Sequence, residues 1–228
     1  MITATQSTHP KNSVYKSTAP TAVDFDALEL LSIFAHDQQI TVVERPQSEA
    51  ITQYLQSIAP SLGRGFQVML SAGESVYEPV LAQRLLPAQP GRDALLADID
   101  LLAHLYSDLI GCPHIGVRLE VLQGAMCPKF HVDRTGIRLL CTYLGPGTEW
   151  LDDRYADRSK LGISTANVCD ADSGLILDCA GLHQASAFAV ALLKGSLWQG
   201  NAQRGVIHRS PSVNPEQIRV LVAMDALW

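Results

Sequence analysis

The chain has 228 residues, 47% of them hydrophobic and 18% charged, with a formal net charge of -6 at pH 7. This composition supports a sizeable core and excludes a disordered or fibrous protein. The acidic balance argues against nucleic acid or an anionic membrane as a partner, because no basic excess is present to neutralise phosphates. No apolar run approaches the roughly 18 residues of a spanning helix, and the first 20 residues lack the apolar core of a signal peptide, so we expect a soluble, cytoplasmic protein.

The N-terminal half of the chain has mainly helical patterns. Residues 1–22, rich in Ser, Thr, Pro and Lys, predict a flexible tail before a single domain at 23–228. In the helical part, 23–111, apolar residues recur at steps of three or four, as in amphipathic helices. Helices are predicted at 24–36, at 48–58 and twice between 77 and 110, and short strands at 40–43 and 66–70. The prediction of the first helix depends on Phe25, Leu28, Leu31 and Phe34, which lie three residues apart.

The pattern changes after Gly111, where short alternating or β-branched runs are separated by Gly and Pro turns. Such runs occur at 117–122, 137–143, 187–193, 205–208 and 218–224. This is typical of an antiparallel sandwich or barrel and not of βαβ units. We therefore predict an α+β fold, in which a helical N-terminal layer packs on a C-terminal β-barrel at 112–228.

An H-x-D motif at His131 and Asp133 is the most informative chemical feature. In a strand, residues two apart point to one side, so an imidazole and a carboxylate would be neighbours. His208 ends one strand-like run, and Arg219 lies 11 residues later inside another. Two imidazoles and one carboxylate form the facial set that binds non-haem Fe(II) with open positions. An arginine in an apolar strand needs an anionic partner or a cavity, and its planar fork suits a carboxylate.

The order of these residues resembles that of the Fe(II)/2-oxoglutarate-dependent dioxygenases. An H-x-D pair, a second histidine 50–90 residues later and an arginine about ten residues beyond it are the hallmark of that family, and the resemblance covers residues 117–225. It implies a double-stranded β-helix of the cupin superfamily. It also implies iron bound by His131, Asp133 and His208, and a 2-oxoglutarate carboxylate bound by Arg219. The expected reaction oxidises an unidentified substrate and releases succinate and CO₂.

Two longer strings, FHVDRTGIRLLCTYLGPGTEWL and LLKGSLWQG…GVIHRSP, also resemble an uncharacterised bacterial family with the same core. The segment Gly145-Pro-Gly-Thr-Glu-Trp150 departs from the Gly-Gly-Glu-Leu-type strand that many such oxygenases carry at this place. The substrate class therefore stays open. We expect a small-molecule cosubstrate as the partner, and a homodimer is compatible with the sequence.

Each candidate residue has a plainer interpretation. The two histidines and Asp133 could be a hydrogen-bonded core pair plus an unrelated histidine, and Arg219 could form an internal salt bridge with Asp225 or Glu120. Arg138 could point into the barrel and touch a ligand, or face solvent. We include Arg138 and Tyr143 with Arg219 as predicted cofactor-binding residues.

The competing function is a non-catalytic zinc-binding protein in metal homeostasis. The chain has five cysteines, an odd number, and no CxxC motif, so we expect reduced thiols and no disulfide framework. Cys127 lies four residues before His131, and a bend at Pro128 would bring its sulfur toward the metal. A closed site of Cys, His, Asp and His would suit zinc. An open site with Arg219 directed toward it would favour oxygenase chemistry.

Overall fold

The computed structural model describes residues 25–76, 85–124, 128–162, 170, 172–212, 214 and 217–228. The predicted tail at 1–22 and the candidate ligand Cys127 lie outside these residues. The strands are β1 (Ile40–Val43), β2 (Gly65–Ser71), β3 (His114–Leu122), β4 (Ile137–Leu144), β5 (Glu149–Leu151), β6 (Leu182–Gln184), β7 (Val190–Lys194), β8 (Ile207–Arg209) and β9 (Arg219–Leu227). The helices are a 3₁₀ helix at Ala27–Phe34, α1 (Glu49–Ile58), α2 (Arg92–Ile110) and short 3₁₀ turns at Ala59–Ser61, Asp153–Tyr155, Arg158–Lys160 and Cys179–Gly181. None of the helices in the described part of the chain is long and apolar enough to cross a membrane.

Two antiparallel sheets form the body of the protein. The main sheet has six strands in the order β1-β7-β4-β9-β3-β2, and the second has three in the order β6-β5-β8. His131 adds a further segment to the second sheet, because it forms a β-bridge with His208 of β8. From β3 in the main sheet, the chain therefore passes to the second sheet at His131 and returns to the main sheet at β4. It then forms β5 and β6 in the second sheet, β7 in the main sheet, β8 in the second sheet and β9 in the main sheet. This order is that of a double-stranded β-helix, a form of jelly roll.

The two faces of the main sheet have different partners, as the two-residue period of a strand requires. Its outer face packs against α1, α2 and the 3₁₀ helix in one large apolar core. Its inner face faces the second sheet, where Leu140, Leu193 and Leu221 form a smaller cluster with Trp150 of β5 packed against it. The inner face is also where the polar candidates of β4 and β9 lie.

The N-terminal part contributes strands as well as helices. β1 and β2 form the two edges of the main sheet, pairing with β7 and β3, so this part is not a purely helical layer. The predicted first helix is present as the 3₁₀ helix, but the apolar face predicted for it is wrong. Leu28 is 72% exposed, whereas Leu30 and Ile33 are the buried residues of that segment.

A buried ion pair ties the helices to the sheet. Arg45 donates two hydrogen bonds to the Asp98 carboxylate of α2, at 2.6 and 2.7 Å. It also donates to the Phe188 carbonyl oxygen, and the Tyr143 hydroxyl of β4 donates to Asp98 at 2.6 Å. Because paired buried charges need several such partners, this network fixes the position of β4 against α2.

Candidate metal centre

His131, Asp133 and His208 come together inside the barrel, as predicted from the H-x-D motif and the distant histidine. One ligand atom from each lies within 4.8 Å of the other two. The Nε2 atom of His131 is 3.6 Å from Asp133 Oδ1, and the Nε2 atom of His208 is 3.2 Å from Asp133 Oδ2. The chain thus places two imidazoles and a carboxylate around one point, although the two histidines are 77 residues apart in sequence.

Backbone pairing positions the two histidines. The amide of His131 donates to the carbonyl oxygen of His208 at 3.0 Å, and the reverse hydrogen bond is 2.9 Å long. Their rings lie side by side, with centroids 4.5 Å apart. Each Nδ1 atom contacts a carbonyl oxygen two residues earlier, that of Lys129 at 3.0 Å and that of Val206 at 3.1 Å. Because a carbonyl oxygen only accepts, each ring in its neutral form carries its proton on Nδ1 and directs the Nε2 lone pair toward Asp133, whereas a protonated His208 ring also donates from Nε2 to that carboxylate.

The electrostatics of the cluster keep its groups in the forms that bind metal. Burial, followed by the neighbouring charge of His208, lowers the pKa of His131 below its usual 6.5. Burial alone would raise the pKa of Asp133, but the hydrogen bond to His208 and the charges of His208 and Arg138 lower it to about 2. At neutral pH the cluster therefore offers a neutral imidazole at His131 and an ionised carboxylate at Asp133, which is the state a divalent cation requires.

The donor set fits a divalent transition metal. Imidazole nitrogen and carboxylate oxygen together suit iron, and a two-histidine, one-carboxylate set leaves coordination positions for other molecules. Within the described residues this is the one group of three ligating side chains that could hold a metal. Cys127 is not among the described residues, so the fourth ligand considered for zinc remains a prediction.

Arg219 is the other unusual residue of the barrel interior. It is only 2% exposed, and its hydrogen bonds go to neutral acceptors: the Pro146 carbonyl oxygen at 2.8 Å, Thr142 Oγ1 at 3.1 Å and Thr148 Oγ1 at 3.0 Å. Burial lowers the pKa of its guanidinium to about 10. No ion pair with a carboxylate within 4.0 Å is found for it in the described part of the chain. Arg219 is thus a buried cation with no carboxylate in direct contact among the described residues, and the charges of Glu120 and Glu149 act on it only from a greater distance.

His131 and His208 of the candidate metal cluster line one pocket together with Arg219. The cavity has a volume of about 110 Å³, and its other lining residues are both apolar (Leu140, Leu221 and Ala223) and charged, Glu120 among them. This volume is below the roughly 300–1,000 Å³ of usual ligand pockets, so the cavity admits a small organic molecule and no large one. The pocket therefore combines two candidate metal-binding imidazoles, an apolar patch and the buried guanidinium of Arg219.

The other predicted cofactor-binding residues lie in two different places. Arg138 lines the pocket, but its three nitrogens contact carboxylates, two of them Asp225 and one Asp133. Tyr143 lies on the opposite, helix-facing side of β4 with its hydroxyl on Asp98, so it does not line the pocket. Strand alternation explains this placement, because Tyr143 and Arg138 are an odd number of residues apart. The internal salt bridge considered for Arg219 is not seen within 4.0 Å either, since Asp225 pairs with Arg138 and Arg118, and Glu120 lies 3.7 Å from Arg118.

Several pocket residues were not predicted. Thr142 and Thr148, with the Pro146 carbonyl, orient Arg219, and Asp225 holds Arg138. For Pro146 and Thr148 the signal was the Gly-Pro-Gly-Thr segment, which departs from the oxygenase pattern but for which no contact with Arg219 was predicted. Gly147 lets this segment approach β6, because a Cβ there would lie 2.1 Å from the Ala185 carbonyl oxygen.

One protein-family model matches most of the chain. A family model described as "Protein of unknown function (DUF1826)" matches residues 25–225. The chain belongs to this family. The match includes the whole metal-binding cluster and Arg219, so both lie within the family's domain. In a sequence search no curated protein matches the chain.

Solved structures similar to the chain include several oxygenases. One is a dioxygenase for auxin oxidation from rice, with 14% identity over 83% of this chain and 73% of that chain and a TM-score of 0.44. Another is the Fe(II)/(alpha)ketoglutarate-dependent dioxygenase TqaL, with 11% identity over 87% and 85% and a TM-score of 0.45. A third is a Pseudomonas putida prolyl-4-hydroxylase, with 9% identity over 88% and 97% and a TM-score of 0.40. The side chains of the site, and not these likenesses, carry the proposal that follows.

Proposed function

We propose that this DUF1826 protein is an Fe(II)- and 2-oxoglutarate-dependent oxygenase. The observation that carries the proposal is that the buried guanidinium of Arg219, which has no carboxylate within 4.0 Å among the described residues, lines the same small pocket as the two histidines of the two-histidine, one-carboxylate cluster. An uncompensated buried charge is costly unless a ligand completes it. A small dicarboxylic acid satisfies both requirements, because one end neutralises Arg219 while the other end reaches the metal-binding cluster.

Each pocket residue has a defined task in this reaction. His131, Asp133 and His208 would hold the metal, and iron bound there supplies the redox chemistry for activating O₂. Arg219 binds the far carboxylate of 2-oxoglutarate through a charge-assisted contact. Thr142 and Thr148 keep the guanidinium in one orientation, so little freedom is lost when the carboxylate binds.

The apolar part of the pocket limits water. Leu140, Leu221 and Ala223 form the apolar part of a lining that is otherwise polar or charged. They match the methylene carbons of a short dicarboxylate and reduce the dielectric around the bound charges, which strengthens the contact with Arg219. In the overall reaction, 2-oxoglutarate and O₂ give succinate and CO₂, and one oxygen atom is inserted into a C–H bond of the substrate.

The test is an anaerobic titration of metal-free protein with Fe(II) and then 2-oxoglutarate, followed by visible absorption. We expect a charge-transfer band that requires both additions, and succinate formation when O₂ is admitted. Arg219→Met should retain the metal and lose the band at the same 2-oxoglutarate concentration. Tight metal binding with no response to 2-oxoglutarate would overturn the oxygenase proposal and favour zinc binding in metal homeostasis, where Cys127 would be examined next.

A further inference from the structure

We propose that Arg138 is a positioning residue that orients the Asp133 carboxylate and thereby determines which of its oxygens is presented to a divalent cation. This inference rests on the metal site of the proposed function. The Nη1 atom of Arg138 donates to Asp133 Oδ2, which also lies 3.2 Å from His208 Nε2, while the other carboxylate oxygen, Oδ1, lies 3.6 Å from His131 Nε2. Oδ2 is thus engaged by a guanidinium, whereas Oδ1 has no such donor and is the oxygen we assign to the cation.

Arg138 is itself firmly anchored. Its Nε and Nη2 atoms donate to the two oxygens of Asp225, at 2.8 and 2.9 Å, in the bidentate arrangement that fixes a guanidinium plane. Arg138 and Asp225 are also direct partners in the register of β4 and β9. From the far side, Arg118 of β3 donates to Asp225 Oδ2 at 2.9 Å. Three charged side chains on three neighbouring strands therefore form a chain of contacts that ends at the Asp133 carboxylate.

The three cluster residues differ in how their side chains are held. Both imidazoles contact backbone carbonyl oxygens through Nδ1, so no substitution removes their anchors. The backbone of Asp133 is also fixed, because its carbonyl oxygen accepts from the Ser196 amide at 2.9 Å. The carboxylate, however, has two rotatable bonds between it and that backbone, and the contact that restrains it outside the cluster comes from Arg138. The orientation of the carboxylate is thus a property that one mutation can change.

A second consequence concerns charge. When Arg138 neutralises part of the Asp133 charge, the carboxylate donates less electron density to a cation than a free carboxylate would. Arg138 therefore has two opposing effects, since orientation strengthens binding while charge neutralisation weakens it. For a partly buried site we expect orientation to dominate, because outer-sphere groups that orient metal ligands typically contribute about 10–100-fold in affinity.

The experiment measures the affinity of the metal-free, full-length protein for Co(II) by competition with a chromophoric chelator, together with the visible spectrum of the Co(II) form. Arg138→Met should weaken Co(II) binding by roughly 10–100-fold and change the Co(II) spectrum as the carboxylate reorients. Arg138→Lys should fall between Met and the original residue, because an ammonium reaches one carboxylate at a time and lacks the planar fork.

Arg154→Met is the control. It removes the same charge from a side chain that is 78% exposed and pairs with Asp152, outside the pocket and the Arg138 network. Co(II) affinity should stay within about three-fold of that of the unsubstituted protein, and the Co(II) spectrum should not change. An equal loss in Arg154→Met and Arg138→Met would show a general charge or folding effect and would overturn the positioning role.

The outcomes also separate this inference from the proposed function. If the unsubstituted protein binds no Co(II), the metal site itself is wrong. If it binds Co(II) and Arg138→Met binds equally well with the same spectrum, only the role of Arg138 is refuted. Should Arg138→Met not fold, Arg138→Lys decides, and unchanged Co(II) affinity and spectrum in that variant reject the role.

Discussion

Replacing Arg219 by methionine should leave the fold intact and abolish the response to 2-oxoglutarate. Methionine keeps an unbranched chain of similar length and removes the charge. The guanidinium makes three hydrogen bonds to neutral acceptors and has no carboxylate within 4.0 Å in the described part of the chain. This one substitution therefore distinguishes a structural role of Arg219 from a role in binding a ligand.

The expected effect of this substitution on stability follows from the structure. Burial lowers the pKa of Arg219 from 12.5 to about 10, which corresponds to a cost of about 3 kcal/mol for the charged form in the folded protein. Its three hydrogen bonds offset roughly 1 kcal/mol each. Because these contributions nearly cancel, the free energy of unfolding should change by less than about 2 kcal/mol, a Tm change of only a few degrees in a chain of this size.

The substitution should weaken ligand binding much more than it lowers the free energy of unfolding. Removing one partner of a desolvated charge pair costs about 2–5 kcal/mol, which corresponds to at least about 30-fold in the Kd of 2-oxoglutarate. The assay is calorimetric titration of 2-oxoglutarate into Mn(II)-loaded protein, beside a thermal melt without ligand. Arg154→Met, which removes a charge that is 78% exposed and paired with Asp152, is the surface control and should change neither quantity. Unchanged 2-oxoglutarate affinity in Arg219→Met would refute the reasoning, and so would a collapse of its fold, which would indicate a structural cation.

Three further results are expected. His208→Gln should weaken Co(II) binding by more than the roughly 10–100-fold typical of outer-sphere changes, measured by chelator competition. Arg45→Met should lower the free energy of unfolding by about 3–5 kcal/mol in urea titrations, because Asp98 stays buried without its cation. Since burial lowers the pKa of His131 below 6.5, folding favours the neutral imidazole. The metal-free protein should therefore keep this stability above pH 6.5 and lose it as the pH falls through the folded-state pKa, a slope that His131→Gln should reduce in melts at several pH values.

The strands of the barrel could be predicted because their inner and outer faces alternate in polarity. Residues 137–143 show the pattern most clearly, and β4 is found at Ile137–Leu144. The three strands of the second sheet, β5, β6 and β8, have only three residues each, which is too few for a period to be detected. β5 and β6 depend on the pairing of β5 with β6 and with β8, long-range contacts that local sequence does not encode.

The first helix shows how a pattern can be detected and assigned to the wrong face. Leu28 and Leu31 recur every three residues, but so do Leu30 and Ile33, and a 3₁₀ helix with three residues per turn aligns both sets into separate stripes. The choice between the stripes is made by the sheet against which the helix packs. Leu30 and Ile33 face that sheet, and Leu28 and Leu31 remain more than half exposed.

The pairing of His131 with Asp133 could be predicted because the two residues are close in sequence, and His208 was predicted from the resemblance, whereas the residues that support these candidate ligands could not be predicted. Arg138 and Asp225 are 87 residues apart, and only the register of β4 and β9 makes them neighbours. In the same way, the Arg219 contacts come from β4 and from the turn after it. A single sequence contains these residues, but it does not show the strand pairing that makes them partners.

Arg138 and Arg219 show why that pairing decides function. Both are arginines on the inner face of the main sheet, and both line the same pocket. Arg138 donates with all three nitrogens to carboxylates of the chain, so its charge is already matched and it can only orient what it touches. Arg219 donates to two hydroxyls and a carbonyl, so its position is fixed while its charge is not neutralised by a direct partner in the described residues. The first arrangement suits a group that positions a metal ligand, and the second suits a group that binds an anion.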